Sequence, residues 1–236
     1  MAAKSPLMEQ YKSIKNEHKD AFLFYRLGDF YELFYDDAVT VSHELELTLT
    51  GKNAGPEGRV PMCGIPYHAA ETYIYRLVQK GYKVAICEQL EDPKKAKGLV
   101  KRDVIRIVTP GTILFENSIA DKSNNYLASV HFTPKNEYGV AFLDISTGEF
   151  VVSEGNAATI EKLIDGFSPS EIIYSKAYTK DYQRIFGERY YYYGIEEWVY
   201  MFDYTREKLL DKFAVTNLKG FGIEEMPLAQ VAAGSI

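Results

Sequence analysis

Two cysteines in 236 residues, Cys63 and Cys87, with no second Cys or His at ligand spacing, argue against a disulfide framework and against a zinc motif. Both are read as reduced, buried, small apolar side chains. The four histidines, His18, His43, His68 and His131, are scattered and form no cluster. No apolar run approaches the roughly 20 residues needed to cross a bilayer. The start, Met1-Ala2-Ala3-Lys4-Ser5-Pro6, leads into polar helix and not into an apolar signal core. The expectation is a cytoplasmic protein without a membrane partner. A phosphate loop of the form G-x-x-x-x-G-K-[ST], a dinucleotide fingerprint after a strand, and a G-x-S-x-G elbow are all missing, so neither ATP hydrolysis nor hydride transfer is expected of this chain.

What is present is ordinary for a folded chain. Apolar residues make up 46% and charged residues 25%, and the length accommodates two domains with separate cores. The net charge of −6 argues against a polyanionic partner, but it is unevenly spread: residues 1–115 carry 16 Lys+Arg against 15 Asp+Glu, and residues 116–236 carry 11 against 18. Any contact with nucleic acid therefore falls to the first half.

Ser5-Pro6 opens a helix carrying Leu7, Tyr11 and Ile14. A strand is predicted over 21–27, then a helix running from the Gly28-Asp29 junction to about Leu45, then a half-buried strand over 45–50. Gly51 to Arg59, with three glycines and a proline, reads as a mobile, exposed loop. Pro61 to His68, constrained by two prolines and a glycine, reads as one irregular segment. A helix follows from Ala70 to Lys80, with strands at 82–89 and 104–108. Between those strands Lys94, Lys95, Lys97, Lys101 and Arg102 crowd nine positions, with Arg106 just beyond, and by itself such a run is a solvated loop. The polar stretch 116–125 is read as a linker between domains at 1–115 and 126–236.

The second half changes rhythm. Strands are predicted at 126–132, 138–145 and 149–153, the last two a hairpin through Ser146-Thr147-Gly148, then a helix at 157–167 and a strand at 171–174. A short helix near Tyr182, an aromatic strand at 189–193, and helices from Asp203 and Leu228 complete an α/β domain with a mixed sheet. Tyr190 to Tyr193 suits a strand with one wet face; a base-stacking platform is the second reading, opposed by Glu196-Glu197. The final helix has no clear stop, the pattern of a chain cut from something larger.

The most informative stretch is Gly28-Asp29-Phe30-Tyr31-Glu32-Leu33-Phe34. Read as the start of a helix, Asp29 is its N-cap and Glu32 the fourth member of a capping box. Phe30, in the first turn, either packs into the core beside Phe34 or projects beyond the domain as a wedge.

This stretch, extended through Tyr35-Asp36-Asp37-Ala38, resembles the mismatch-recognition motif of the MutS family of DNA mismatch sensors. Val60-Pro61-Met62-Cys63-Gly64-Ile65-Pro66-Tyr67-His68, Val84-Ala85-Ile86-Cys87-Glu88-Gln89 and Arg106-Ile107-Val108-Thr109-Pro110-Gly111-Thr112 agree in order and spacing. The resemblance implies an N-terminal mixed α/β mismatch-recognition domain and, on weaker motifs such as Asp144-Ile145-Ser146-Thr147-Gly148-Glu149-Phe150, a ribonuclease-H-like α/β connector domain truncated at its end. It places the family's Phe-x-Glu pair on Phe30 and Glu32, with Phe30 stacking on a mispaired or unpaired base from the minor groove and Glu32 hydrogen-bonding that base. Tyr31 and Met62 become supports, and Lys94, Lys95, Lys97, Lys101, Arg102 and Arg106 a candidate phosphate track. The implied partners are double-stranded DNA with mismatches or small loops and, in the whole protein, a second copy and MutL. The implied location is the bacterial cytoplasm, on the nucleoid. No cofactor is implied for this stretch, since the family's ATP and magnesium belong to a domain missing from it, and no enzyme activity is expected.

Two other classes stay open on sequence. Asp144 sits where a ribonuclease-H-like nuclease would hold a metal, although a lone carboxylate is not a two-metal site. A paralogue that binds branched DNA and ignores mismatches is the other, against which Phe30 and Glu32 count.

Overall fold

The computed structural model describes residues 5–91, 96, 98–114 and 124–236. They fall into two compact α/β units, the first reaching Thr109, the second holding Pro110–Leu114 and residues from 124 on. The chain thus changes units at Pro110: Gly111 donates its N–H to Glu171 at 3.1 Å, and Asn125 bonds the Pro110 carbonyl at 3.0 Å. Most of the expected linker lies outside the described residues.

The first unit is a six-stranded sheet in the order β3-β4-β2-β1-β5-β6, with β1 Phe22–Leu27, β2 Phe30–Phe34, β3 Thr50–Asn53, β4 Arg59–Pro66, β5 Val84–Gln89 and β6 Arg102–Val108. Among the described strands of this sheet the β1–β5 seam is parallel and the others antiparallel. Helix α1, Pro6–Glu17, lays Met8 and Tyr11 on one face, where they bury Leu23, Tyr25, Phe34, Ala85 and Cys87. The alternate residues Phe24, Leu33, Cys63 and Ile65 are equally buried, on the face that receives α2, Tyr35–Leu45, and α3, Ala70–Gln79. Each such side chain contributes about 1.5–3 kcal/mol by leaving water.

Two expectations for this unit need correction. The stretch 45–50 is not a strand: α2 ends at Leu45, Glu46 takes a left-handed turn at φ 57°, and pairing starts only at Thr50. The glycine-rich loop and the proline-bounded segment together form the β3–β4 hairpin, with Lys52 opposite Val60 and Thr50 opposite Met62. Its prolines are tolerated at Pro61 and Pro66 because the strand ladder asks no N–H of them there.

The second unit is a five-stranded sheet in the order β11-β10-β7-β8-β9, with β7 Tyr126–Phe132, β8 Glu137–Asp144, β9 Glu149–Asn156, β10 Glu171–Ser175 and β11 Tyr192–Ile195. An antiparallel meander continues into two parallel strands on the far side of β7. Numbered within the unit the order is 5-4-1-2-3, a mixed sheet as expected. One face packs Val130, Phe142, Ile172 and Tyr174 beneath α4, Ala157–Phe167, and α5, Thr179–Phe186. The aromatic strand begins at Tyr192, not at Arg189, and Tyr190 and Tyr192 pack against that core, Tyr192 lying 4.8 Å from Tyr182. Those two rings are therefore core and not a stacking platform.

The other face receives α6, Phe202–Phe213, and α7, Pro227–Gly234. Helix α7 is built of Ala229, Ala232, Ala233 and Gly234 and lies very close to the sheet: a Cβ on Gly139 of β8 would stand 1.9 Å from the Leu228 carbonyl oxygen. Gly139→Ala should therefore force the helix off the strand and cost about 1–3 kcal/mol, read as a lowered urea midpoint of the second unit.

Under the same helical layer, the His131 ring stacks on Tyr200 at 6.0 Å and its Nδ1 has no partner among the described residues. Burial lowers the imidazole from 6.5 to about 4. The unfolded chain thus takes up a proton at a pH where the folded unit does not, and stability falls as pH drops from 6.5 toward 4. At about 1.4 kcal/mol per unit, discounted for the partly accessible ring, the loss is roughly 1–2 kcal/mol. Between about pH 7 and about pH 5 the denaturant midpoint of the chain should fall relative to that of His131→Phe; parallel curves would exclude it.

Candidate nucleic-acid interface

The Gly28–Phe34 stretch is a β-hairpin and not a strand-to-helix junction. Leu27 pairs with Phe30, so Gly28 and Asp29 alone make the turn. Gly28 sits at φ +58°, the left-handed conformation that a two-residue hairpin turn with glycine in first place uses. Asp29 and Glu32 form no capping box, because α2 starts only at Tyr35 and its N-cap is Phe34, without a side-chain cap. A cap is worth about 1 kcal/mol. Against it, every residue of β2 pairs with β4 and three pair with β1, and Phe and Tyr favour such strands.

The pleat puts Phe30, Glu32 and Phe34 on one face and Tyr31 and Leu33 on the other. Exposure climbs along the first stripe. Phe34 is fully buried under α1, its ring 5.0 Å from Tyr11 and edge-on to it, whereas Phe30 is 46% exposed. The Phe30 ring lies over Gly64 of β4: a Cβ there would sit 3.7 Å from its Cδ1. Between the two aromatics, Glu32 is partly buried and its Oε2 accepts a hydrogen bond from the Lys52 ammonium on β3. Met62, opposite Phe34, packs into the α1-side core, with its sulfur 3.6 Å from the Thr50 hydroxyl. Tyr31 points away from this stripe, is 7% exposed, and donates its hydroxyl to Glu88; burial and the Glu88 carboxylate hold its phenol well above the usual range.

The turn is fixed from several sides. Arg26 Nε donates to the Gly28 carbonyl at 2.5 Å, and Nη1 lies 3.5 Å from Glu88. Its guanidinium covers the Tyr67 ring at 3.9 Å and the Tyr31 ring at 5.5 Å. The Tyr67 N–H donates to the Asp29 carbonyl at 2.9 Å. An exposed aromatic on a tip held this way can present a flat apolar surface without first being ordered.

Of the expected basic track, Lys101, Arg102 and Arg106 lie among the described residues. Lys94, Lys95 and Lys97 lie outside the described residues. Lys101 is exposed, and its carbonyl accepts from the Leu90 N–H at 2.9 Å. Arg106 is partly buried on β6, opposite Ile86. Arg102 is 9% exposed and spends its guanidinium inside the unit, on the Arg26 carbonyl at 2.8 Å and on Gln10 at 3.1 Å. It supports the sheet edge from within.

Asp144 is also spent locally. It is fully buried at the end of β8, where Oδ1 accepts from the Ser146 N–H at 2.8 Å and hydroxyl at 2.6 Å, and Oδ2 from the Asn125 N–H at 3.3 Å. Those hydrogen bonds outweigh burial and hold its carboxyl below the usual value. Among the described residues no three His, Cys, Asp or Glu side chains are grouped to hold a metal ion, and no helix is long and apolar enough to cross a membrane. Burial pushes the Cys63 thiol up to about 11 and that of Cys87 up to about 12, so neither is a ready nucleophile.

Family comparison agrees with the division of the fold. Residues 5–117 match the family described as MutS domain I, and residues 125–236 match MutS domain II. The chain belongs to the MutS family. It is 47% identical to the DNA mismatch repair protein MutS of Flavobacterium psychrophilum over 232 residues, covering 98% of this chain and 27% of that protein. The protein of the same name from Flavobacterium johnsoniae is 45% identical over 236 residues, all of this chain and 27% of its own length. That of Acetivibrio thermocellus is 48% identical over 235 residues, 95% and 26% of the two chains. The chain thus spans about a quarter of the length of the curated relatives it matches.

Within the MutS domain I unit, sequence reasoning missed Arg26, Lys52 and Gly64. Gly28-Asp29 between two aromatic runs was the available signal for the hairpin, and the hairpin alone places Arg26 under the turn. Lys52 carried no such signal, since its meeting with Glu32 depends on the β3–β4–β2 register. Arg26→Met should leave the sheet intact yet loosen its tip: we expect a stability loss of about 1–3 kcal/mol and faster amide exchange at residues 28–30 than elsewhere in the sheet, measured by hydrogen-exchange mass spectrometry.

Proposed function

We propose that the first unit reads mispaired or unpaired bases in duplex DNA, as part of mismatch repair, by inserting Phe30 from the minor groove while Glu32 hydrogen-bonds the probed base. The observation that carries this reading is the exposed Phe30 ring seated over Gly64 on a turn that Arg26 and Tyr67 hold rigid. A wedge at a base step costs a few kcal/mol of unstacking. A base that has already lost its pairing yields more readily, so selectivity comes from deformability and not from reading a sequence. Lys101 and Arg106 fit weak backbone contacts, with Lys94, Lys95 and Lys97 as further candidates, and Met62 supports the floor of the stripe beside Phe34. The second unit serves as a connector that relays to other domains and to MutL. ATP, magnesium and pairing with a second copy belong, in this reading, to the remainder of a full-length protein.

The relatives named as DNA mismatch repair protein MutS support the reading. So does the engagement of Asp144 by its own turn, which leaves a nuclease without a free carboxylate at that position.

The test places this chain in the full-length Flavobacterium johnsoniae protein in place of the matching residues. Phe30→Ala should lower the preference for a G·T duplex over a matched one by roughly tenfold to a hundredfold, the worth of one stacking contact at about 1–3 kcal/mol, with unchanged unfolding. A variant that still prefers the G·T duplex to the same degree would sink the wedge assignment.

A further inference from the structure

Glu32 is held by one of its two oxygens. Oε2 takes the Lys52 ammonium, and Oε1 has no hydrogen bond among the described residues. The carboxylate keeps 18% exposure and Lys52 keeps 31%, so the pair stands at the border between the core and the open end of the Phe30 stripe. Lys52 is no loosely hanging side chain. Its strand pairs with β4 in fixed register, Lys52 opposite Val60, and its ammonium lies 5.5 Å from the centre of the Phe34 ring. Beyond it, the hairpin end is tied to the α1 and α2 side through Glu57, which accepts from Lys12 at 2.6 Å and from the Tyr35 hydroxyl at 3.0 Å.

A carboxylate on an exposed stripe would otherwise sample several rotamers and face the phosphate backbone with its whole charge. An ammonium on one oxygen restricts the rotamer and offsets part of the charge, and it leaves the other oxygen as a single acceptor beside Phe30. We propose that Lys52 is a positioning residue for mismatch discrimination: by occupying Oε2 it presents Oε1 of Glu32 to a base stacked on Phe30. The inference rests on the reading of Phe30 and Glu32 given above. The competing role for an exposed lysine near DNA is a plain phosphate contact. That role adds affinity for every duplex alike and one unit of salt dependence.

The two roles separate in a double-mutant cycle in the same full-length host. With Lys52 as a positioning residue, Lys52→Ala lowers the ratio of G·T to matched affinity by about tenfold, Lys52→Arg restores most of it, and Lys52→Ala has no further effect on the ratio once Glu32 is Ala. Lys52→Gln serves as the second charge-removing variant if Lys52→Ala unfolds early. Equal weakening of both duplexes, with a salt slope lower by about one and the same loss in the Glu32→Ala background, makes Lys52 a phosphate contact and overturns the proposal while leaving the Phe30 reading in place. A Glu32→Ala variant with an unchanged ratio overturns the base-contact reading itself, and the role of Lys52 with it.

Discussion

The two-residue turn at Gly28-Asp29 sets the register of β2 against β1, and through it the face on which every side chain of β2 emerges. The side-chain period of a strand is two, so a slip by one residue would carry Phe30, Glu32 and Phe34 to the α2 and α3 face and bring Tyr31 and Leu33 beneath α1. The α1 face would then lose the Tyr11–Phe34 contact, and Phe30 would leave its place over Gly64. Core and candidate site are thus specified by the same turn. Phe34 anchors the stripe by burial, and Phe30 inherits its exposed position from the same alternation, four residues away.

Much of the second unit is legible in its sequence because local signals and long-range pairing agree there. The helix Ala157–Phe167 begins at Asn156, whose side chain accepts the Thr159 N–H at 3.0 Å, and the Ser146-Thr147-Gly148 turn joins strands that pair antiparallel along their full length. The first unit is harder because its signals conflict. Asp29 with Glu32 imitates a helix start, and the spacing of Phe34, Ala38, Val41 and Leu45 is that of a real helix that begins later, at Tyr35. Tyr35 itself stands at φ 55°, a conformation unusual for a tyrosine, so the change from strand to helix has no residue type to announce it. Gly51 to Arg59 likewise looks like a loop by composition, yet it supplies β3, paired with β4 at the sheet edge among the described residues.

Charge was the least transferable part of the sequence reading. A basic run suggests a surface track, but a guanidinium can also cap backbone carbonyls from within, as Arg102 does on Arg26 and Val100. Only three-dimensional pairing distinguishes the two. The same holds for Lys52, which composition places in a flexible loop and which register places on Glu32.

The rigidity of the tip also has an order in time. Its turn and the β1–β2 and β3–β4 ladders join neighbours in sequence, but Glu88, which braces Arg26, arrives on β5, whose parallel seam with β1 closes across about sixty intervening residues. Local hairpins form in microseconds, whereas distant parallel pairing is slow. Phe30 thus rides on a short-range hairpin whose brace reaches across a long-range seam, and any opening of the β1–β5 seam in the folded state would part Arg26 from Glu88 without disturbing a single residue of the turn.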